Sequence, residues 1–149
     1  MNSTPLAELL TYAQERGGPG QSRHTGFLSA YFENADPTEI AARGPASLFA
    51  LANAHWRLAE APHAAHNVKV RVFNPTLAED GFVSEHSVVQ IVHSNMPFLV
   101  DSVTMAINKS GRTAHWIVHP LLSVTRVAQG DLLGVSSVAA AQATDRQAP

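Results

Sequence analysis

Eight histidines, two lysines and no cysteine set the chemical repertoire of this 149-residue chain. Without a thiolate, a metal site has to be built from imidazoles and carboxylates. His115 and His119 share a face if residues 112–119 form a strand. Four positions at strand rise then separate them by about 13 Å, too far to ligate one ion. His63 and His66 lie in an alanine-rich stretch with no acidic neighbour, and no His-x-x-x-His pair falls on a predicted helix. No metal site is expected. Ser102, His93 and Asp101 contain the residue types of a nucleophilic triad, but no nucleophile elbow surrounds the serine, and a serine one turn into a helix is ordinary. The lysines, Lys69 on a strand face and Lys109 at a helix end, read as solvated side chains. There is no G-x-G-x-x-G run to cradle a dinucleotide. The residues thus predict no catalytic group and no cofactor site in this chain. The one place suited to a ligand is the turn Asn95, Met96, Pro97 and Phe98, with Asp101 in the following helix. A helix N-terminus there offers unpaired N–H groups to an anion or carboxylate, as in an amino-acid effector.

The elements that must position this turn are legible around it. Ser87 to Val92 is an apolar, β-branched run and reads as a buried strand that stops at Ser94-Asn95. Met96, Leu99, Val100, Val103 and Ile107 then follow the i, i+3, i+4, i+7 spacing of a helix with one buried stripe. Asn95 or Met96 is its expected cap, Pro97 fits its first turn and Gly111 ends it. Asp101, Thr104 and Asn108 form its polar face. Arg112 to His119 is the next expected strand, centred on Ile117 and Val118.

Upstream, Val68, Val70 and Val72 alternate with Lys69, Arg71 and Phe73, which predicts a strand with one face in the core. TLAEDGFVSEHS connects it to Ser87–Val92 as an antiparallel neighbour. Before residue 62 the chain reads as a helical layer. Pro5 to Arg16 carries leucines at helical spacing and ends at Gly17-Gly18-Pro19-Gly20. Phe27, Leu28, Tyr31 and Phe32 form an aromatic stripe suited to core packing. Asp36-Pro37-Thr38-Glu39 is a capping signal, Gly44-Pro45 stops that helix, and Ala46 to Glu60 makes a further one. Trp56 and Trp116 read as packing anchors. Beyond Pro120, Leu121 to Thr125 and Leu132 to Val135 form a hairpin across Gln129-Gly130-Asp131, and the remaining residues carry no period. The divisions are 1–62 (helical), 67–138 (mixed) and 139–149 (unpatterned tail).

Composition narrows the classes. A 45% hydrophobic chain of this length fills one core. A net charge of −2 without a basic run gives no footprint for nucleic acid or an acidic membrane surface. No apolar run reaches the roughly 20 residues of a membrane span, and the N-terminus lacks a signal-peptide pattern, so a cytoplasmic location is expected.

RVFNPTLAEDGF, followed by MPFLVDSVTMAINKSGRTAHWIVHPLLSV and preceded by HWRLAE at 55–60, resembles the N-terminal region of the large bacterial NAD-dependent glutamate dehydrogenases. The likeness runs over about residues 23–135 and is specific in its wording from Asn95 to Ser102. It implies the first of several ACT-type regulatory modules, far upstream of a dehydrogenase domain that would hold NAD and convert L-glutamate to 2-oxoglutarate. The implied fold is α+β: an N-terminal helical layer, then an incomplete ferredoxin-like antiparallel sheet with one covering helix. The strand, second helix and final strand that complete such a module have no counterpart here, and without the middle strand an exposed sheet edge and self-association are expected. Phe98 stands where ACT modules carry a glycine that lets an amino acid approach the backbone, which shifts the implied role toward assembly or relay. The implied partners are the rest of the same polypeptide, further copies in a homo-oligomer and an amino-acid effector. The alternative is a stand-alone amino-acid-binding or protein-interaction module.

Overall fold

Thr4 starts the first helix by accepting the Ala7 N–H on its hydroxyl at 3.2 Å, with Pro5 in the first turn, where its missing N–H costs nothing. The computed structural model describes residues 3–16, 21–60, 68–94, 96–126 and 132–137. The expected linker at 61–66 and tail at 139–149 lie outside them. Helix α1 (Pro5–Glu15) is followed by α2 (Gln21–Tyr31), α3 (Pro37–Arg43) and α4 (Pro45–Glu60). Asp36 caps α3 by accepting the Thr38 N–H at 2.8 Å, and Glu39 pairs with Arg43 one turn on. Gly44, at φ 79°, turns the chain directly into α4.

These four helices hold the core. Leu9, Leu28, Phe32, Leu48 and Ala52 are inaccessible to solvent or nearly so, with Phe27, Tyr31 and Ile40 buried around them. Rings meet edge-on, Phe27 on Trp56 at 4.7 Å and Tyr31 on Phe32 at 4.8 Å, the arrangement that ring quadrupoles favour. The aromatic stripe and both tryptophans therefore act as packing anchors, as their spacing predicts.

Strand β1 (Lys69–Phe73) pairs antiparallel with β2 (Val88–Val92), Val70 opposite Ile91 and Val72 opposite Val89. A four-residue helix, α5 (Leu77–Asp80), lies between them, capped by Thr76 and ended by left-handed Gly81. The strand has one face turned inward, and it is the face without the valines. Val68, Val70 and Val72 are exposed, whereas Lys69, Arg71 and Phe73 are half-buried. The polar partners explain this choice of face. Lys69 donates to the Leu58 carbonyl near the C-terminal end of α4, where a cation is favoured. Arg71 bonds Asp80 at 3.0 Å and lies over the Phe73 ring. The Asp80 carboxyl is held below the usual carboxylate range, chiefly by the Thr76 N–H and further by Arg71.

Helix α6 (Leu99–Lys109) follows the turn after β2. The expected strand at Arg112–His119 does not form; these residues join no ladder. Trp116 accounts for their course. Its indole stacks on Phe32, 6° from parallel, and takes the Arg43 guanidinium on its ring at 4.0 Å. The segment is thereby drawn onto the helical layer, where Val118 also packs. Strands β3 (Leu122–Arg126) and β4 (Leu132–Ser137) then form the expected antiparallel hairpin, which packs against α2. Among the described residues the strands make two separate two-stranded sheets, β1-β2 and β3-β4. The whole is α+β, with its core in the helices.

Candidate functional site

The turn that sequence singled out is exposed at every described position. Met96, Pro97, Phe98 and Asp101 all face solvent, and Asn95 lies outside the described residues. The cap of α6 is Phe98 rather than Asn95 or Met96, and no side chain bonds the helix start. Phe98 adopts φ 62° and ψ 19°, the left-handed region that glycine enters without penalty, and it is 75% exposed. It is the only non-glycine residue at positive φ among those described. Phe98→Gly is accordingly expected to raise stability by about 1 kcal/mol, because nothing packed is lost and the backbone conformation becomes free of Cβ strain. Urea unfolding of the two proteins measures it; a destabilised variant would show that the exposed ring makes stabilising contacts.

Behind this turn lies an open trough of about 1880 Å³. One wall is β2 along its whole length. Another is the stripe of α6, Leu99, Val100, Val103 and Ile107, each only half-buried. Residues 112–122 and the α4 side chains Leu51 and His55 complete it. The α6 stripe thus has the expected period, and the space before it is open.

His55 joins three elements at the trough floor. Its Nδ1 lies 2.7 Å from the Tyr31 hydroxyl and its Nε2 3.0 Å from the Ile91 carbonyl. A carbonyl only accepts, so Nε2 carries the proton and Nδ1 accepts from Tyr31. Burial lowers the pKa of His55, with the Ile91 bond working the other way, and burial raises that of Tyr31. Both side chains stay neutral near pH 7. Gln90, 2% exposed, donates its amide to the Leu51 carbonyl, while its Oε1 has no partner. His86 and His115 stack across the trough's end at 4.0 Å between ring centroids.

The triad types do not converge. His93 Nδ1 is engaged with the Ser94 carbonyl at 2.6 Å, and Ser102 and Asp101 are exposed on α6. No group of three or more potential metal ligands occurs among the described residues. Nor is any described helix long and apolar enough to cross a membrane. The Tyr31–His55 link went unpredicted because its partners are 24 positions apart and each fits a helix pattern by itself. Gln90 carried a usable signal: it is the one polar residue inside the apolar run VVQIV.

Comparison with known proteins places the chain. The family model described as glutamate dehydrogenase, ACT1 domain, matches residues 27–148. An NAD-specific glutamate dehydrogenase of Pseudomonas aeruginosa is 34% identical over 120 residues, which are 80% of this chain and 7% of that protein. One of Halomonas elongata is 44% identical over 69 residues, 46% of this chain and 4% of that protein. The chain thus spans a small fraction of the length of these relatives. No solved structure matches it. With the matched residues reaching from α2 through β4, the chain belongs to the glutamate dehydrogenase ACT1 domain family.

Proposed function

We propose that this chain is the N-terminal regulatory and assembly segment of a large NAD-dependent glutamate dehydrogenase. In that reading, oxidation of L-glutamate to 2-oxoglutarate and ammonium, with reduction of NAD, is carried by a downstream domain of the same polypeptide. The observation that carries the reading is the length relation: 120 aligned residues make up 80% of this chain and 7% of the Pseudomonas aeruginosa relative. The chain's own residues fit a role without chemistry, since His93 is tied to backbone while Ser102 and Asp101 are solvated on α6. The surface turn at Met96–Phe98 is where an amino acid would meet the start of α6. The ring of Phe98 occupies the approach that a glycine would leave open, which favours assembly over effector capture.

Immunoprecipitation from source cells with an antibody against this chain tests the proposal. A band many times heavier than 15.9 kDa, with glutamate-dependent NAD reduction in the precipitate, is the expected result. A band at the chain's own mass without that activity would overturn it. In the intact enzyme, calorimetry with amino acids on the native and Phe98→Gly proteins separates the two regulatory roles. Assembly alone predicts no heat from the native form.

A further inference from the structure

A second cleft, of about 540 Å³, opens on a different face of α4 from the one carrying Leu51 and His55. Three guanidiniums line it, Arg16 at the C-cap of α1, Arg57 on α4 and Arg71 on β1, against two carboxylates, Glu79 and Asp80 of α5. A guanidinium stays charged at any pH a protein meets, so this balance does not depend on a titration. Arg71 and Asp80 cancel, bonded at 3.0 Å. Arg16 and Arg57 are left facing Glu79, an excess of one positive charge.

Neither Arg16 nor Arg57 is in an ion pair among the described residues. Both lie at the C-terminal ends of helices, where the dipole favours a cation. That accounts for their charge, but not for two like charges brought to one cleft. The Arg16 guanidinium lies 3.8 Å from the centre of the Tyr12 ring. The ring covers one face of the guanidinium and leaves its in-plane N–H groups for an acceptor. Phe49, edge-on to Tyr12 at 5.6 Å, and Leu58 make the cleft partly apolar. Fixed donors on an apolar wall, in a volume of this order, are what a small ligand needs.

We propose that this cleft binds a small organic anion, with its oxyanion group between Arg16 and Arg57 and its apolar body against Phe49 and Leu58. Carboxylate and phosphate share the required chemistry, because the oxygens of either match the N–H fork of a guanidinium. Glu79 opposes the bound charge and holds the affinity down. The site is separate from the turn at the start of α6, and it stands whether or not a dehydrogenase follows the chain.

The probes are phenylacetate and phenyl phosphate, titrated separately into the 149-residue chain at constant ionic strength. Nuclear magnetic resonance follows the side-chain Nε–H signals of Arg16 and Arg57. Saturable shifts of both signals with one dissociation constant are expected, and the tighter of the two probes names the oxyanion. Arg57→Gln and Arg16→Gln should each weaken binding about tenfold. Glu79→Gln should tighten it about threefold, a gain that lost structure would not produce. All three side chains are exposed, so the fold is expected to survive each change, and unaltered thermal unfolding checks this. No saturable shift with either probe would overturn the proposal. So would full affinity in Arg57→Gln, weaker binding in Glu79→Gln, or shifts confined to the start of α6.

Discussion

Replacing Phe32 by alanine is expected to lower the unfolding free energy by about 3–5 kcal/mol, whereas Val72→Ala should change it by no more than about 0.5 kcal/mol. Phe32 is 1% exposed, meets the Tyr31 ring edge-on and carries Trp116 stacked on its other side. Truncation leaves a cavity that α1, α2 and α4 cannot close without moving, and it removes the surface onto which residues 112–120 dock. Val72 is 65% exposed on the outer face of β1, so its methyl groups gain little from folding. Equilibrium unfolding in urea, followed by tryptophan fluorescence, measures both variants. A large loss for Val72→Ala beside a small one for Phe32→Ala would put the core in the sheet instead of the helices.

Acidification should destabilise this protein through His55, and Tyr31→Phe should cost about 1–3 kcal/mol near neutrality. The sign follows from the direction of the shift. Burial lowers the His55 pKa in the folded state, while in the unfolded chain the imidazole titrates near its ordinary value of about 6.5. As pH falls through that value the unfolded state takes up the proton first, so folding free energy is lost. The stabilisation is complete above about pH 6.5, declines below it, and the decline stops once the folded His55 itself is protonated. Unfolding at pH 7.5 and pH 5.5, in the native protein and in His55→Gln, isolates the contribution from those of the other histidines. A smaller difference between the two pH values in the variant is expected. An equal difference would mean that His55 is as accessible to protons when folded as when unfolded. Tyr31→Phe removes the donor to Nδ1 and leaves a buried acceptor unpaired, hence the cost stated. A neutral result would show that water takes its place.

Local periodicity made the helices and hairpins readable, and long-range side-chain partners decided what it could not. The spacing of Leu6, Leu9, Leu10 and Ala13, the Asp36 cap and the Gly44-Pro45 stop all act within a few residues, and each appears where the sequence puts it. The face of β1 is different. Alternation shows that two faces exist; which one turns inward was set by Lys69 reaching the Leu58 carbonyl and Arg71 reaching Asp80. Likewise Ile117 and Val118 look like a strand centre, but the stacking of Trp116 on Phe32, 84 positions away, outweighs ladder pairing for that segment. The cap of α6 escaped prediction because a phenylalanine at positive φ breaks the rule from which caps are read. That departure marks the turn more clearly than its composition does. The family resemblance identified the family and the α+β class, and the trough came from geometry alone.

The position of the core in the chain also bears on how the protein is made. Its most completely buried large side chains, Leu9, Leu28, Phe32 and Leu48, all lie in the first third of the sequence. During synthesis these residues are translated before β1, and the contacts among them close short loops at low entropic cost. The order of translation therefore matches the order in which burial becomes available. The helical layer can collect its aromatic rings first, and Trp116, arriving some 70 residues after Leu48, completes a surface that is already waiting for it.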